Sequence, residues 1–310
     1  MNNSIVKQSL SKLKTIVGLL ALVILLSILS PRFLSVANLT NVLRQTSINA
    51  IIAIGMTFVI LTGGIDLSVG SIFAFSSAVT ATLLTAGIPA PVAITIGLLI
   101  GALAGVVNGL LVTRGKVPPF IATLAMMTIV RGATMVYTHG EPISRLGDSF
   151  YWIGNGYIWI FPVPVILTVI VFGLAYYILT QFKLGRYIYS IGGNEEASRL
   201  SGINTKKIKV IVYSISGLLA ALSGIIITSR LNSAQPTAGQ GAELDAIAAV
   251  VLGGTSLSGG QGGIGGTIIG ALIIGILNNG LNLLNVSPFY QAIVKGVVIL
   301  IAILLDNNDK

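Results

Sequence analysis

The chain has 310 residues, of which 54% are hydrophobic and only 9% are charged. Soluble domains carry about 45–50% apolar and about 25% charged residues, so this composition excludes an ordinary soluble protein and indicates an integral membrane protein. The net charge of +9 does not predict a nucleic-acid partner, because the basic residues lie in short loops between apolar runs, as membrane topology requires. The absence of cysteine excludes disulfides and thiolate metal sites.

Ten apolar runs follow one another along the chain, and a helix needs about 20 residues to cross a bilayer. Most runs reach this length with their flanks, whereas 242–252 is short and 46–61 is slightly short. We therefore predict an all-α membrane protein of about ten transmembrane helices, forming one domain over residues 1–310. The predicted spans are 15–30, 46–61, 69–86, 92–112, 120–137, 163–179, 210–229, 242–252, 264–284 and 289–305.

The distribution of lysine and arginine predicts the orientation of these spans. A cytoplasmic N-terminus places most of the basic residues on the cytoplasmic side, as the positive-inside rule requires. This orientation gives a short cytoplasmic segment at 1–14 and a long, charged cytoplasmic loop at 181–209.

A glycine-rich segment occurs twice in the apolar sequence, as GGIDLSVG at 63–70 and GGTSLSGG at 253–260. Broken backbone at membrane depth persists only where protein or a wet cavity satisfies it, so paired glycine breaks indicate a transport path. We predict that the segments ending at Leu61 and Leu252 border this path. The candidate path or gate residues are Asn49, Thr57, Thr62, Gly63, Gly64, Asp66, Gly253 and Gly254.

The repeat continues beyond the glycines, since 101–120 is echoed at 270–289, which indicates an internal duplication. Ten full spans would give both copies the same direction. A re-entrant segment at 242–252 would instead invert one copy, and the sequence leaves both arrangements open.

Two motifs suggest nucleotide binding, LSGGQ at 257–261 and G-x-G-x-x-G at 260–265. A phosphate-binding loop is missing, because the pair Gly115-Lys116 is followed by Val117 and not by serine or threonine. A dinucleotide site would need a βαβ unit, which this apolar sequence does not offer. With one histidine, His139, and no hydrolase or metalloprotease motif, we predict no enzyme, no metal site and no cofactor bound by this chain.

Four charged residues lie within or beside the apolar runs, and charges inside spans are expensive unless they are paired or face water. Asp245 and Lys295 form a candidate intramembrane ion pair, with substrate contact as the alternative. Asp66 either caps the helix that starts nearby or takes part in gating. Arg131 is the fourth of these charged residues and is likewise a candidate functional residue.

The segment GGNEEASRLSGI at 192–203 resembles the cytoplasmic loop of sugar-importing ABC permeases. The segments at 64–70, 120–124, 233–236 and 248–254 carry the same resemblance, which points to the branch that imports ribose, xylose and galactose. It implies import of ribose or a related small sugar across the bacterial cytoplasmic membrane. It also implies a permease homodimer, a separate cytoplasmic ATPase subunit that binds ATP and Mg²⁺, and an extracytoplasmic sugar-binding protein.

The resemblance further implies that 194–202 is the helix that couples the permease to its ATPase. Asn194 suits an N-cap, the two glutamates that follow suit a first turn, and Gly202 suits a helix end. The candidate coupling residues are Gly193, Asn194, Glu195, Ala197, Leu200, Ser201 and Gly202.

Two other function classes stay open from the sequence. In an ion-coupled secondary sugar transporter, a membrane carboxylate such as Asp66 or Asp245 would bind the coupling ion. The other class is a non-transporting membrane scaffold.

Overall fold

The computed structural model describes residues 17–308 and confirms the predicted fold class, an all-α protein with helices over all ten apolar runs. Six helices, α2, α4, α5, α7, α10 and α12, are long and apolar enough to cross a membrane, so the number of ten spans stays a prediction. The predicted segment 1–14 lies outside the described residues. The helices are α1 (Val17–Leu29), α2 (Val36–Leu61), α3 (Val69–Thr85), α4 (Ala90–Thr113), α5 (Pro119–Thr138), α6 (Asp148–Asn155), α7 (Val163–Gln181), α8 (Lys183–Gly193), α9 (Glu195–Leu200), α10 (Thr205–Leu231), α11 (Ala242–Leu252), α12 (Ile264–Leu283) and α13 (Pro288–Asn308).

Four two-residue strands form two antiparallel pairs in the loops. β1 (Ile143–Ser144) pairs with β4 (Ser233–Ala234), and β2 (Tyr157–Ile158) pairs with β3 (Phe161–Pro162). The first pair ties the loop after α5 to the loop after α10.

The predicted short span at 46–61 is wrong in its start, because α2 has 26 residues and begins at Val36. The polar residues at its beginning stay helical because protein groups satisfy them. Asn38 Nδ2 donates to Asn279 Oδ1 at 3.0 Å, and Arg44 Nη2 donates to the backbone oxygen of Asn155 at 3.0 Å. A hydropathy pattern does not show such long-range partners.

α2 lies at the centre of the bundle, and two neighbours run antiparallel to it. Thr57 and Thr267 hydroxyls lie 2.8 Å apart where α2 meets the start of α12, and Asn38 meets Asn279 at the other end. α10 is also antiparallel, since Ser223 Oγ donates to the backbone oxygen of Ile48 at 3.1 Å. We refer below to the Val36 end and the Leu61 end of the bundle.

Four glycines at every fourth position line one face of α4; three of them bring α4 into backbone contact with α10, whereas Gly97 packs on Thr80 of α3. They form one stripe because residues four apart lie on the same helix face. A Cβ at Gly105 would lie 2.1 Å from the backbone oxygen of Tyr213, and one at Gly101 would lie 2.5 Å from that of Gly217. Small residues of this kind allow close helix packing in membranes. The stripe consists of Gly97, Gly101, Gly105 and Gly109.

α3 starts inside the bundle and not at its surface. Asp66, which is fully buried, accepts hydrogen bonds at Oδ1 from the Ser68 backbone N–H at 3.0 Å and from Ser68 Oγ at 2.6 Å. Its Oδ2 accepts from Ser216 Oγ at 2.8 Å, and Ser216 lies near the middle of α10. An interior start explains why α3 has only 17 residues.

α11 also starts inside the bundle, beside the start of α3. A Cβ at Gly70 would lie 2.2 Å from the backbone oxygen of Gly239, so the two backbones touch. Arg131 donates to the backbone oxygens of Pro236 at 2.8 Å, Ala238 at 2.9 Å and Gly70 at 3.0 Å. The guanidinium therefore fixes the irregular segment before α11 against α3 and satisfies its carbonyl groups.

The two glycine repeats point in the same direction. α11 is antiparallel to α12, since Gly253 packs on Gly266 and Asn278 Nδ2 donates to Asp245 Oδ2 at 3.3 Å. α11 is therefore parallel to α2. The longer echo, 101–120 and 270–289, lies mainly on α4 and α12. These two helices run in opposite directions, because α4 is parallel to α2 and α12 is antiparallel to it. The two helices that end at the glycine repeats, α2 and α11, thus point in the same direction. The two helices that carry the longer echo, α4 and α12, point in opposite directions.

Candidate functional site

The two glycine repeats end their helices in the same way. After α2, the N–H of Gly64 bonds to the Val59 oxygen at 3.1 Å, and after α11 the N–H of Thr255 bonds to the Val250 oxygen at 3.2 Å. Each turn needs a residue with positive φ, which Gly63 supplies at +74° and Gly254 at +80°. The structural correspondence is therefore shifted by one residue from the sequence repeat, which aligns Gly63 with Gly253.

The two repeats also touch each other. The N–H of Gly260 donates to the Leu61 oxygen at 3.0 Å, and a Cβ at Gly259 would lie 2.8 Å from the nitrogen of Gly63. A Cβ at Gly192 would lie 1.9 Å from the same Leu61 oxygen. We call these five residues, Leu61, Gly63, Gly192, Gly259 and Gly260, the glycine junction. It joins the ends of α2, α8 and the second repeat by backbone contact alone.

α9 follows one residue after Gly193 and is the predicted coupling helix. Asn194 caps it, with Oδ1 accepting from the Ala197 N–H at 2.9 Å, as the sequence predicted. Ser198 faces inward, 2.7 Å from Ser190 Oγ of α8. Leu200 is 76% exposed, so α9 presents an apolar side chain to its surroundings.

The charged groups of α9 are paired. Glu195 pairs with Lys209 at the start of α10, and Glu196 pairs with Arg199 within the helix. The hydrogen bond from Arg199, together with its positive charge, lowers the pKa of the Glu196 carboxyl. Ser201 Oγ donates to the Ala197 oxygen at 2.9 Å, and Gly202 follows with positive φ. Six residues therefore form a defined helix that is tied to both neighbours.

A cavity of about 330 Å³ lies on the Val36 side of the bundle, between α2, α11, α12 and α13, with one lining residue each from α3 and α10. We call it the amide cavity, because its polar lining consists mainly of amide side chains. Its apolar lining includes Ile48, Ile52 and Phe73. The six amides are Gln45, Asn49, Gln240, Asn278, Asn282 and Gln291.

Asp245 and Lys295 face this cavity as an ion pair. Lys295 Nζ lies 2.9 Å from Asp245 Oδ2, and Asn278 Nδ2 donates to the same oxygen at 3.3 Å. The Asp245 side chain is 12% exposed and the Lys295 side chain is 28% exposed. The pair thus stands between the protein interior and the cavity, with opposite charges that neutralise each other.

The structure separates the predicted path residues into five places. Asn49 lines the amide cavity. Thr57 is fully buried and bonds to Thr267, and Thr62 donates to the Val59 oxygen at 2.8 Å. Gly63 belongs to the glycine junction, and Gly64 lies next to it, close to the Tyr213 hydroxyl. Gly253 and Gly254 follow the end of α11, and Asp66 lies just before the start of α3. Of the predicted path residues, only Asn49 lines the same cavity as the ion pair.

Five of the six cavity amides were not predicted from the sequence. A signal was present for two of them, because Asn278 and Asn282 lie four residues apart within an apolar run, on one helix face. Gln45, Gln240 and Gln291 lie outside or at the edge of the predicted spans, where polar residues are ordinary. Among residues 17–308, no group of three His, Cys, Asp or Glu side chains is placed to hold a metal ion.

Comparison with known proteins places the chain in a family. The family described as branched-chain amino acid transport system, permease component, matches residues 38–303. The chain is 57% identical over 308 residues to the ribose import permease protein RbsC of Escherichia coli K12, covering 98% of this chain and 96% of that protein. It is 59% identical over 301 residues to RbsC of Bacillus subtilis 168, covering 96% and 94%.

More distant relatives carry the names of other sugars. The D-allose transport system permease protein AlsC of E. coli K12 is 42% identical over 280 residues, with 90% of this chain and 86% of that protein covered. No solved structure matches the chain. The resemblance to the sugar-importing ABC permeases is confirmed, and the chain belongs to this family as a multi-pass membrane permease component and not as an enzyme.

Proposed function

We propose that this chain is the permease subunit of a bacterial importer that moves ribose, or a related small sugar, into the cytoplasm. The observation that carries the proposal is the identity of 57–59% over almost the whole chain to ribose import permeases of two distant bacteria. The ATP and Mg²⁺ belong to a separate ATPase subunit. The remaining partners are a second copy of this chain, an extracytoplasmic sugar-binding protein and the lipid bilayer.

The proposed orientation follows from charge and places the Leu61 end in the cytoplasm. The bases around α8, α9 and the start of α10 lie at that end, which suits the cytoplasmic face of an inner-membrane protein with a cytoplasmic N-terminus. The Val36 end then faces the sugar-binding protein. The amide cavity lies toward the side from which sugar arrives, and α9 toward the side where ATP is hydrolysed.

The glycine junction supports the proposed coupling by α9. Gly192 and Gly193 link α9 to α8, and Gly192 contacts both Leu61 and Gly260 through backbone atoms. A displacement of α9 by the ATPase would therefore reach the end of α2 and the loop between α11 and α12 without passing through flexible side chains. Leu200 and Ala197 are exposed on α9 and form the proposed apolar contact with the ATPase.

An ion-coupled carrier finds little support in the geometry. Both oxygens of Asp66 accept hydrogen bonds from serine side chains, and Asp245 is already paired with Lys295. Each carboxylate therefore has its partners within the chain, whereas a coupling ion would need a carboxylate that is free to exchange partners.

Uptake into proteoliposomes tests the proposal. Vesicles that contain this chain with its ATPase are supplied with the sugar-binding protein outside, labelled ribose outside and ATP inside. We expect uptake only when all three proteins and ATP are present. Uptake by this chain alone under a proton or sodium gradient would contradict the proposal and favour the carrier.

A further inference from the structure

We infer that the amide cavity is a binding subsite for a neutral polyol within a single permease chain, which holds the sugar during its passage. This inference rests on the proposed function. The cavity volume of about 330 Å³ lies at the small end of the range of about 300–1,000 Å³ for small-molecule sites, which suits a monosaccharide.

The lining matches a polyol in its hydrogen-bonding chemistry. A sugar hydroxyl both donates and accepts hydrogen bonds, and an amide side chain offers both functions at one position. Six amides line the cavity together with apolar side chains such as Phe73 and Ile52. Apolar walls with a few polar groups are typical of small-ligand sites, where the polar groups orient the ligand.

One lining atom lacks the partner that its burial demands. Within residues 17–308, the buried oxygen Asn278 Oδ1 accepts no hydrogen bond, although its Nδ2 donates to Asp245. Buried polar atoms are normally paired, and an unpaired one calls for an explanation. A rotation of the Asn278 side chain toward the cavity that it lines would let a sugar hydroxyl donate to this oxygen.

The neighbouring Asn279 does not share the unpaired amide oxygen of Asn278. Asn279 is adjacent in α12 and points away from the cavity, where it exchanges two hydrogen bonds with Asn38, at 2.9 and 3.0 Å. Asn279 is satisfied within the protein, whereas Asn278 is half satisfied and lines the cavity. The two asparagines therefore form a matched pair for experiments.

The charges favour a neutral ligand over an ionic one. Asp245 and Lys295 are the charged residues in the cavity lining, and they are bonded to each other at 2.9 Å. A zwitterionic amino acid would have to separate this pair in order to bind both charges, whereas a sugar leaves it intact. Free leucine is thus the decisive competitor, since the family description refers to amino acids.

Thiol labelling tests the subsite, because the natural chain contains no cysteine. Asn282→Cys places a thiol at the exposed mouth of the cavity and keeps Asn278, and Asn285→Cys places one in the exposed loop outside the cavity. Both variants are reconstituted in nanodiscs, alone and with the partner proteins during ATP turnover. The labelling rate with a water-soluble methanethiosulfonate is measured with D-ribose, L-leucine or neither.

We expect D-ribose at about ten times its dissociation constant to slow the labelling of Asn282→Cys by about tenfold. Labelling of Asn285→Cys should not change, and leucine should have no effect on either variant. Protection by leucine would overturn the assignment to a polyol, and the absence of protection by ribose under both conditions would overturn the subsite. If uptake by the complete importer is normal in that case, the proposed function stands while this inference fails.

A second pair of variants measures the contact itself. Asn278→Leu should raise the KM for ribose uptake by about two- to tenfold, since one hydrogen bond to the sugar is lost. It should also lower the amount of folded protein slightly, because the 3.3 Å hydrogen bond to Asp245 is lost as well. Asn279→Leu should lower the amount of folded protein and leave KM unchanged. Equal KM values for both variants would contradict a direct contact of Asn278 with the sugar.

Discussion

The α4–α10 interface and the amide cavity are both built from apolar helices but differ in what fills the space between the helices. Between α4 and α10, glycines allow backbone to meet backbone, and a Cβ at Gly105 has no room. α11 and α12 also meet through Gly253 and Gly266, but where the cavity lies, amide and charged side chains line an open space among the helices. Hydrophobicity places these helices in the membrane but does not pull them together, because lipid is equally apolar. The placement of glycines and amides therefore decides which interfaces are closed and which are open.

The largest effect is expected at the closed interface. Gly105→Ala places a methyl group 2.1 Å from the Tyr213 oxygen, where backbone cannot yield, so we expect a loss of about 3 kcal/mol or more and little folded protein. Gly132→Ala on α5 is the control, because nothing lies within 4 Å of its Cβ position, and it should gain about 0.5–1 kcal/mol. Thermal unfolding of the purified proteins measures both, and a well-folded Gly105→Ala would refute the closed interface.

A change outside both regions should leave folding intact. Leu200→Asp exposes a charge at a position that is already 76% exposed, so insertion and thermal stability should not change. Loss of an apolar anchor at an interface costs about 1–4 kcal/mol, so we expect at least tenfold weaker co-purification of the ATPase. Glu195→Lys, which breaks the pair with Lys209, should act in the same direction. Unchanged binding in both variants would move the docking site to another loop.

The stability effects of substitutions at Asp245 and Lys295 should depend on each other, as expected for a partly buried ion pair. Asp245→Asn or Lys295→Met alone leaves one charge without its partner, and because both side chains keep some exposure we expect a loss of about 1–2 kcal/mol. The double variant should lose less than the sum, by about 1 kcal/mol. Thermal unfolding of the four proteins completes the cycle, and strict additivity would mean that the pair contributes nothing.

The smallest effect concerns Thr57, which the sequence predicts to border the path. It is fully buried and bonds to Thr267 at 2.8 Å, so Thr57→Val should reduce stability by about 1 kcal/mol and leave the KM for uptake unchanged. Thr57→Ser keeps the hydroxyl and should restore most of the stability. A changed KM in Thr57→Val with normal stability would return Thr57 to the path.

Local features were predicted from the sequence because their causes are local. The cap of α9 by Asn194 needs only residues within one turn, and the short helix at 242–252 follows from its own pattern. The start of α2 was missed because its polar side chains find partners far along the chain, at Asn279 and Asn155. The amide cavity was missed for the same reason, since its lining comes together only when six helices and a loop pack.

The contact between the two glycine repeats also bears on how the gene can vary. The repeats lie about 190 positions apart, yet a Cβ at Gly259 would meet the nitrogen of Gly63, and a Cβ at Gly192 would meet both Leu61 and Gly260. All of the atoms that these Cβ groups would meet belong to the backbone, so no substitution at one site can make room for a larger residue at another, and these glycines should be invariant across related permeases. The two copies of the repeat therefore restrict each other's sequence, because each must leave room for the backbone of the other.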